Sequence, residues 1–315
     1  MSKKIKKASN SSQTEEQTEV SQPPMGFKMI WREFTKDKFA MGSLILLVLL
    51  LVGIFVGAMM FNQESVTTVS IFDKYAPPGA EKSEFAGETF LLGADEGGRD
   101  VLGLLLIGAR NSIMIGFAIT ITTSLIGLFV GIVSGYFGGL VDTILMRIVD
   151  FVLILPITMI IIVLVSVIPD YNPVTFVGVL SLFYWVGKAR LFRSVTLSEV
   201  RRDYVSASKI MGTSTMKIIF REVTPNLSSL IITNLTMNFA GNIGIETTLT
   251  YLGFGLPPKF PSLGTLIAYA ADGTVLQEYL WVWLPASILI VVMMLSINYV
   301  GNAIKRSADA RQRLG

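Results

Sequence analysis

The 315-residue sequence contains no cysteine and no histidine. These absences exclude a disulfide, a thiol nucleophile, an imidazole base and a metal site built from Cys and His. The Gly-x4-Gly-Lys-Ser/Thr loop that cradles nucleotide phosphates is also missing, so the chain does not bind ATP through that motif. We therefore expect a chain that is not an enzyme, with no catalytic residue, no metal and no cofactor of its own.

Charged residues are also scarce, because they form 16% of the chain against about 25% in soluble domains. Hydrophobic residues form 51%, and the mean hydropathy is +0.60. A helix needs about 20 apolar residues to cross a bilayer. Six runs approach that length, at residues 41–61, 112–135, 144–168, 174–196, 227–250 and 281–303. The sequence predicts an all-α polytopic membrane protein with six transmembrane helices.

The basic residues are unevenly distributed between the segments that join these runs. With a cytoplasmic N-terminus, only five of the 26 lysines and arginines fall on the outer side: Lys74, Lys82, Arg99, Arg110 and Lys259. Because basic residues concentrate in cytoplasmic segments, both termini are predicted to be cytoplasmic. The net charge of +3 comes from basic residues that flank the membrane runs. We therefore expect the chain to contact membrane lipid and not to bind nucleic acid.

A polar insert between the fourth and fifth runs is typical of a docking element for another protein. Three small residues at 206–208 allow close approach of a partner, and Gly212 can adopt the left-handed conformation that ends a helix. Thr213 or Ser214 can cap a second helix, which Pro225 is expected to stop. The insert is predicted to be a cytoplasmic helix-turn-helix. Its candidate docking residues are Tyr204, Ser206, Ala207, Ser208, Met211 and Gly212.

The chain divides into four predicted parts. Residues 1–26 are polar and lack a hydrophobic run, which is typical of a disordered cytoplasmic tail. Residues 27–111 hold an amphipathic segment, the first transmembrane helix and an outer segment. Residues 112–304 form a core of five transmembrane helices, and residues 305–315 form a cytoplasmic tail.

Glycines and prolines mark the predicted membrane helices. Gly127, Gly131, Gly135 and Gly139 recur every four residues, so they favour close packing on one helix face. Pro156 and Pro285 interrupt the third and sixth runs, where a proline removes a backbone donor and kinks a helix.

The fifth run carries a polar row of Asn234, Asn238, Asn242 and Glu246. Successive members are about 40° apart on a helix, so they lie on one side. Polar groups in lipid are costly and usually face a protein interior or a water-filled cavity. We interpret the row as a wall of a translocation path; hydrogen bonding between packed helices is the alternative. Arg147 and Asp150, three residues apart, are expected to form a local salt bridge.

Four segments carry a resemblance to a known family. Residues 206–212 and Pro225 resemble the cytoplasmic "EAA" loop of ABC-importer permeases, with Ser206 in place of its Glu. Residues 92–110 resemble the pattern LGTDxxGRDxxSRxxxGxR, and residues 135–150 resemble GYFGGxxDxxLMRxxD. Residues 252–264 resemble LGLGxxPPxPSWG, with Leu263 at the Trp position. Over residues 27–315, the chain resembles the dipeptide/oligopeptide ABC-importer permeases of the C type.

The resemblance implies one half of a pore in a bacterial cell membrane. Its expected partners are a second permease subunit, two cytoplasmic ATP-binding subunits and an extracellular peptide-binding protein. The same machine could import nickel or a metal chelate instead. A secondary transporter would need ion-coupling carboxylates at the membrane centre, and Glu246 near a helix end is the one candidate in the apolar runs. A membrane receptor would be supported by a soluble signalling domain, and the sequence contains none.

Overall fold

The computed structural model describes residues 34–83, 85–169 and 171–312. The predicted tail at 1–26 and most of the amphipathic segment lie outside this part of the chain. The described helices are α1 (Lys38–Met59), α2 (Gln63–Thr67), α3 (Val101–Phe137), α4 (Gly139–Ile154), α5 (Ile157–Val167), α6 (Pro173–Phe183), α7 (Val186–Glu199), α8 (Asp203–Ile210), α9 (Thr215–Ile218), α10 (Thr224–Asn226), α11 (Ser228–Tyr251), α12 (Leu263–Ala268), α13 (Gly273–Glu278) and α14 (Leu280–Gln312). Strands β1 (Glu81–Lys82) and β2 (Phe85–Thr89) form a short antiparallel pair.

The prediction of an all-α polytopic membrane protein is confirmed. In the described residues, three helices are long and apolar enough to cross a membrane: Lys38–Met59, Val101–Phe137 and Leu280–Ser307. The number rises to five if α4 with α5, and α6 with α7, each form one bent span. These elements cover five of the six predicted runs.

The remaining predicted run corresponds to α11, which has 24 residues. At about 1.5 Å per residue, this length suffices to cross a bilayer. Its asparagines, threonines and Glu246 make it too polar to count as a span by composition. However, α11 packs against both α3 and α14, which do meet that criterion. A helix shielded by other helices does not need a fully apolar surface.

Two breaks divide the predicted third and fourth spans. Helices α4 and α5 meet at 79° around Leu155 and Pro156, so the predicted proline kink at Pro156 is present. Helices α6 and α7 meet at 46°, although no proline lies at that break. There the buried Lys188 donates to the Tyr184 carbonyl oxygen at 3.4 Å and to Thr123 of α3 at 2.6 Å. Pro285, in contrast, lies within an unbroken α14.

Helix α3 is the centre of the bundle, with α1, α6, α7, α11, α12 and α14 all packed against it. Its glycine row faces α7: a methyl group at Gly127, Gly131 or Gly135 would lie 2.6–2.7 Å from a Cβ atom of α7. Gly139 does not belong to this contact, because α3 ends at Phe137 and Gly139 begins α4 with open space around its Cα. Three of the four glycines of the repeat therefore pack closely against α7, as predicted, and Gly139 does not.

Replacing Gly131 by alanine should destabilise the protein. The new Cβ would lie 2.7 Å from the Cβ of Phe192 and 2.8 Å from the Ala189 carbonyl oxygen, and overpacking typically costs about 1–3 kcal/mol. Gly187→Ala in α7 is the matched control, because no described atom outside its own helix lies within 4 Å of the new Cβ. Thermal unfolding in detergent should show a lower Tm for Gly131→Ala only. Equal Tm values for the two variants would contradict the close contact.

Candidate docking loop and translocation path

The polar insert folds as a short helical unit held to the bundle by an apolar cluster. Val205 of α8 is fully buried, together with Ile218, Val223 and Leu227. This cluster packs on Ile132 in the last part of α3. Burying such side chains is worth about 1.5–3 kcal/mol each in water. The unit is therefore fixed against α3 and does not hang from the bundle as a free loop.

The turn after α8 has the geometry of a Schellman motif. Gly212 has a φ of +78°, which a side chain would strain. The Thr213 amide donates to the Ser208 carbonyl at 3.0 Å, and the Gly212 amide donates to the Lys209 carbonyl at 3.1 Å. These two bonds satisfy carbonyls that the end of a helix leaves without partners. The pattern around Gly212 thus has the geometry expected from the sequence.

Pro225 does not end the second helix of the insert, so the prediction that it would is wrong. The chain passes from α9 through a π-helical segment at Ile219–Val223 into α10 and then α11. Pro225 lies in the first turn of α10, where its missing N–H is tolerated. The wider π turn shifts the hydrogen-bond register just before the proline, and the chain continues through α10 into α11.

A polar network ties the two arms of the loop together. Ser208 donates to Glu222 at 2.8 Å, and Asn226 donates to the hydroxyl of Tyr204 at 2.9 Å. Tyr204 in turn donates to Glu199 at the end of α7. Burial and this bond to Glu199 raise the pKa of Tyr204 to about 12, so the hydroxyl keeps its proton at neutral pH. Of these five residues, only Tyr204 and Ser208 were identified from the sequence.

The loop exposes four large apolar side chains beside the exposed basic residues Lys209, Lys217 and Arg221. Ile210, Met211, Met216 and Phe220 are 65–87% exposed. Ser206 and Ala207 are also exposed, and Ser208 is half-buried. Apolar side chains grouped on a surface indicate contact with another protein or a membrane. Sequence reasoning identified Met211 and missed the other three, although isolated large apolar residues in a polar insert are a visible signal.

Two ion pairs join α4 to α7 next to this loop. Arg193 binds Asp142, which also accepts a hydrogen bond from Ser134 at the end of α3. Arg190 binds Asp150. The expected salt bridge between Arg147 and Asp150 is therefore wrong, because Asp150 faces a basic residue on the neighbouring helix. Sequence spacing identifies partners within one helix but not across two.

The polar row of α11 divides into two parts. Asn242 donates to Thr120 of α3 at 2.8 Å, and Glu246 accepts from Ser112 of α3 at 2.8 Å. Asn242 is 3% exposed and Glu246 is fully buried. In this structure neither side chain faces a path, so the geometry favours the alternative of interhelical hydrogen bonding for these two residues. Each residue of the row is rotated by about 40° around the helix axis relative to the one before it. This rotation places the second half of the row inside the bundle.

The first half of the row lies at the surface of the chain. Asn234 and Asn238 are half-buried and bond to each other, with Asn238 donating to Asn234 at 3.0 Å. Gly241 and Thr248 continue the same side of α11 and are exposed. At about 100° per residue, these four positions lie within roughly 80° of arc. They form a strip of small and polar residues along one side of α11.

At the opposite end of the bundle, the segment before α3 wraps around a buried carboxylate. Asp95 is fully buried and accepts from the Gly97 and Arg99 amides at 2.9 and 3.0 Å. It also forms an ion pair with Arg99 at 2.6 Å and accepts from the Tyr269 hydroxyl at 3.1 Å. Gly98, at φ +68°, is required because a Cβ there would lie 1.9 Å from the Ser70 carbonyl oxygen. The Asp-x-x-Gly-Arg pattern thus builds a closed turn.

The segment after α11 joins the same end. Ser112, which donates to Glu246, also accepts from the Leu263 amide at 3.0 Å. Asn111 donates to the Pro261 carbonyl at 2.8 Å, and a Cβ at Gly108 would lie 2.9 Å from the Ser262 carbonyl carbon. The sequence patterns at residues 92–110 and 252–264, about 150 residues apart in the chain, therefore contact each other in the fold.

The chain matches two family models. One is the binding-protein-dependent transport system inner membrane component, over residues 127–314. The other is the N-terminal TM domain of oligopeptide transport permease C, over residues 27–78. The chain belongs to the family of binding-protein-dependent transport system inner membrane components. It is an integral membrane protein of a transport system, and the family resemblance stated from the sequence is confirmed.

Similar proteins come from several bacteria. The oligopeptide transport system permease protein OppC of Lactococcus lactis is 47% identical over 283 residues, covering 90% of this chain and 94% of its own length. OppC of Bacillus subtilis is 32% identical, covering 90% of each chain. The dipeptide transport system permease protein DppC of Bacillus subtilis is 31% identical, covering 96% of this chain and 92% of its own length.

Removing the Ser112 hydroxyl should destabilise the bundle. Ser112→Ala leaves Glu246 without one donor and the Leu263 amide without its acceptor, and such interhelical bonds are worth about 0.6–2 kcal/mol each. Thr122→Ala on the same helix is the control, because the exposed Thr122 hydroxyl bonds only to the Ala118 carbonyl of α3 among the described residues. The Tm in detergent should fall for Ser112→Ala and stay near wild type for Thr122→Ala. The reverse order would contradict a structural role for this contact.

Proposed function

We propose that this chain is a permease subunit of an ATP-driven importer of oligopeptides or dipeptides. The proposal is supported by family membership and by relatives that are named as oligopeptide and dipeptide transport permeases over 90% or more of this chain. The observation that carries the mechanism is the set of exposed large apolar side chains at residues 210–220, on a unit fixed against α3. ATP hydrolysis is expected on separate subunits.

The loop surface is proposed to dock one of two cytoplasmic ATP-binding subunits. Its apolar row of Ile210, Met211, Met216 and Phe220 offers contact area, and Gly212 gives a turn without a side chain. The polar network from Ser208 to Glu222 holds the two arms at a fixed angle. A push on this surface is therefore transmitted to α3 and α7 as a rigid body.

Both termini are proposed to be cytoplasmic. An ion pair at 2.8 Å between Asp37, before α1, and Arg306, near the end of α14, supports a shared side for the two ends, and the distribution of basic residues supports the cytoplasmic side. The start of the first span and the end of the last span would then lie together, on the side to which we assign the docking loop. The opposite side then carries the Asp95 turn and would receive cargo from an extracellular peptide-binding protein.

The translocation path is proposed to run along the exposed strip of α11. Asn234, Asn238, Gly241 and Thr248 supply a polar, uncrowded surface there. A second permease subunit would supply the facing wall. ATP binding and hydrolysis would alternate the opening of this path by favouring one of two arrangements of the pair.

A charge on the apolar loop surface should uncouple transport from ATP hydrolysis. Met211→Asp places a carboxylate where we expect an apolar contact, so co-purification of the ATP-binding subunits and their stimulated hydrolysis should fall by about tenfold or more. Thr274→Asp, at an exposed position on the opposite end, is the control for added charge. Normal co-purification of Met211→Asp would refute docking at this surface.

The orientation is tested with single cysteines, since the native chain has none. A cysteine at the exposed Thr274 should react with a membrane-impermeant maleimide in intact cells. A cysteine at the exposed Ser214 should react only after permeabilisation. The opposite labelling pattern would invert the topology and place the loop away from any cytoplasmic ATPase.

A further inference from the structure

An apolar groove of about 500 Å³ lies along the membrane-spanning part of α3, between α1 and α11. Its walls include Leu51 and Phe55 of α1, Met114 and Phe117 of α3, and Phe239 of α11. Met114 and Phe117 are each 56% exposed, so the groove opens at the surface of the chain. In a bilayer, an open apolar groove is filled by a lipid acyl chain or by apolar side chains of another protein.

Arg110 lies one helical turn from the groove, on the same side of α3. Its position and those of three groove residues, Met114, Phe117 and Ile121, follow at intervals of four, three and four. Positions at these intervals are neighbours on one face of a helix, and the four together cover about 16 Å of its length. One side of α3 therefore carries a guanidinium at the head of an apolar stripe.

The guanidinium lies at the depth where the first span ends. Helical side chains lean toward the N-terminus of their helix, so Arg110 points away from the groove and toward the start of α3. Its Nη2 atom lies 3.5 Å from the side-chain oxygen of Gln63, which follows the last residue of α1, Met59, by four positions. Where a span ends, the hydrocarbon gives way to the lipid headgroups. Arg110 is thus at the level of lipid phosphate groups.

Within the described part of the chain, Arg110 has no anionic partner. Its Nε and Nη2 atoms donate to the Asn111 side-chain oxygen at 3.4 and 3.2 Å, and the remaining bond is the one to Gln63. These acceptors are neutral amides, at or beyond the usual limit of about 3.2 Å. A charge next to hydrocarbon is costly without a counter-charge. A phosphate group supplies one and matches the two-pronged geometry of a guanidinium.

The groove faces a different side of α11 from the proposed translocation path. Phe239 follows Asn238 of the polar strip and therefore lies about 100° further around the helix. A second permease subunit that faces the strip would leave the groove open toward lipid. This placement favours an acyl chain over a protein side chain as the occupant.

We propose that Arg110 and the apolar groove together bind one phospholipid of the surrounding membrane. Arg110 donates to the phosphate oxygens through Nη1 and Nη2, and one acyl chain lies against Phe55, Met114 and Phe117. The lipid fills the space between α1 and α11 and so holds the first span against the core. The site depends on the membrane location of the chain and not on the cargo.

Binding is measured as a rise in the Tm of the purified full-length chain in detergent, because a ligand that binds only the folded state raises the Tm. Three probes are compared: dipalmitoyl phosphatidylglycerol, the diacylglycerol with the same chains, and inorganic phosphate. The phospholipid should raise the Tm in a saturable way, and the other two should not. An equal rise with the diacylglycerol would overturn the role of Arg110. An equal rise with inorganic phosphate would overturn the role of the groove.

Arg110→Gln should weaken the apparent affinity for this phospholipid by about tenfold, since hydrogen bonds to charged groups are the strong ones. Lys259→Gln is the matched control, because Lys259 is an exposed basic residue predicted on the same side of the membrane. It should keep the wild-type affinity. Unchanged affinity in Arg110→Gln would overturn the proposal.

Met114→Trp tests the groove while Arg110 stays in place. The larger side chain occupies the space of the acyl chain and should weaken phospholipid binding by a similar factor. Because Met114 is exposed, folding should be kept, so this variant decides the question even if Arg110→Gln does not fold. Leu125→Trp, exposed on the same helix and outside the groove, should bind like wild type.

Native mass spectrometry of the chain purified from cells gives a second readout. Wild type, Lys259→Gln and Leu125→Trp should each retain one phospholipid more than Arg110→Gln and Met114→Trp. Equal retention by all five proteins would show that no phospholipid is held at this site and would overturn the proposal.

Discussion

The structure depends on the close approach of α3 to its neighbours. Inside a bilayer, packing helices together removes no apolar surface from water, so association relies on shape, small residues and hydrogen bonds. Helix α3 supplies all of these. The absence of side chains at Gly127, Gly131 and Gly135 lets the Cβ atoms of α7 pack directly against the α3 backbone. Ser112 and Thr120 form hydrogen bonds with Glu246 and Asn242 of α11.

This helix also joins the two ends of the bundle. With 37 residues, α3 is about 55 Å long. It begins at Val101, directly after the turn around Asp95, and near its other end Ile132 packs against the candidate docking loop. The breaks at 79° between α4 and α5, and at 46° between α6 and α7, are the places where the remaining chain can change direction.

Local features were predictable from the sequence, and contacts between distant segments were not. The Gly212 turn and the apolar runs are specified by residues close together in the chain; the turn has the predicted form, and three of the six runs are single unbroken spans. The spiral of Asn234, Asn238, Asn242 and Glu246 fixed one side of a helix but not its neighbour, so interhelical hydrogen bonding was only the alternative interpretation and its partners on α3 were not identified. The pairing of Asp150 with Arg190, 40 residues later, was missed for the same reason.

The central claim is that this chain forms part of a pore that moves peptides at the expense of ATP. The most direct measurement is peptide accumulation in vesicles that contain this chain, its second permease and the two ATP-binding subunits, with the binding protein outside. The account predicts accumulation of a labelled oligopeptide against its gradient only with ATP and the binding protein. Accumulation driven by an ion gradient without ATP would contradict it.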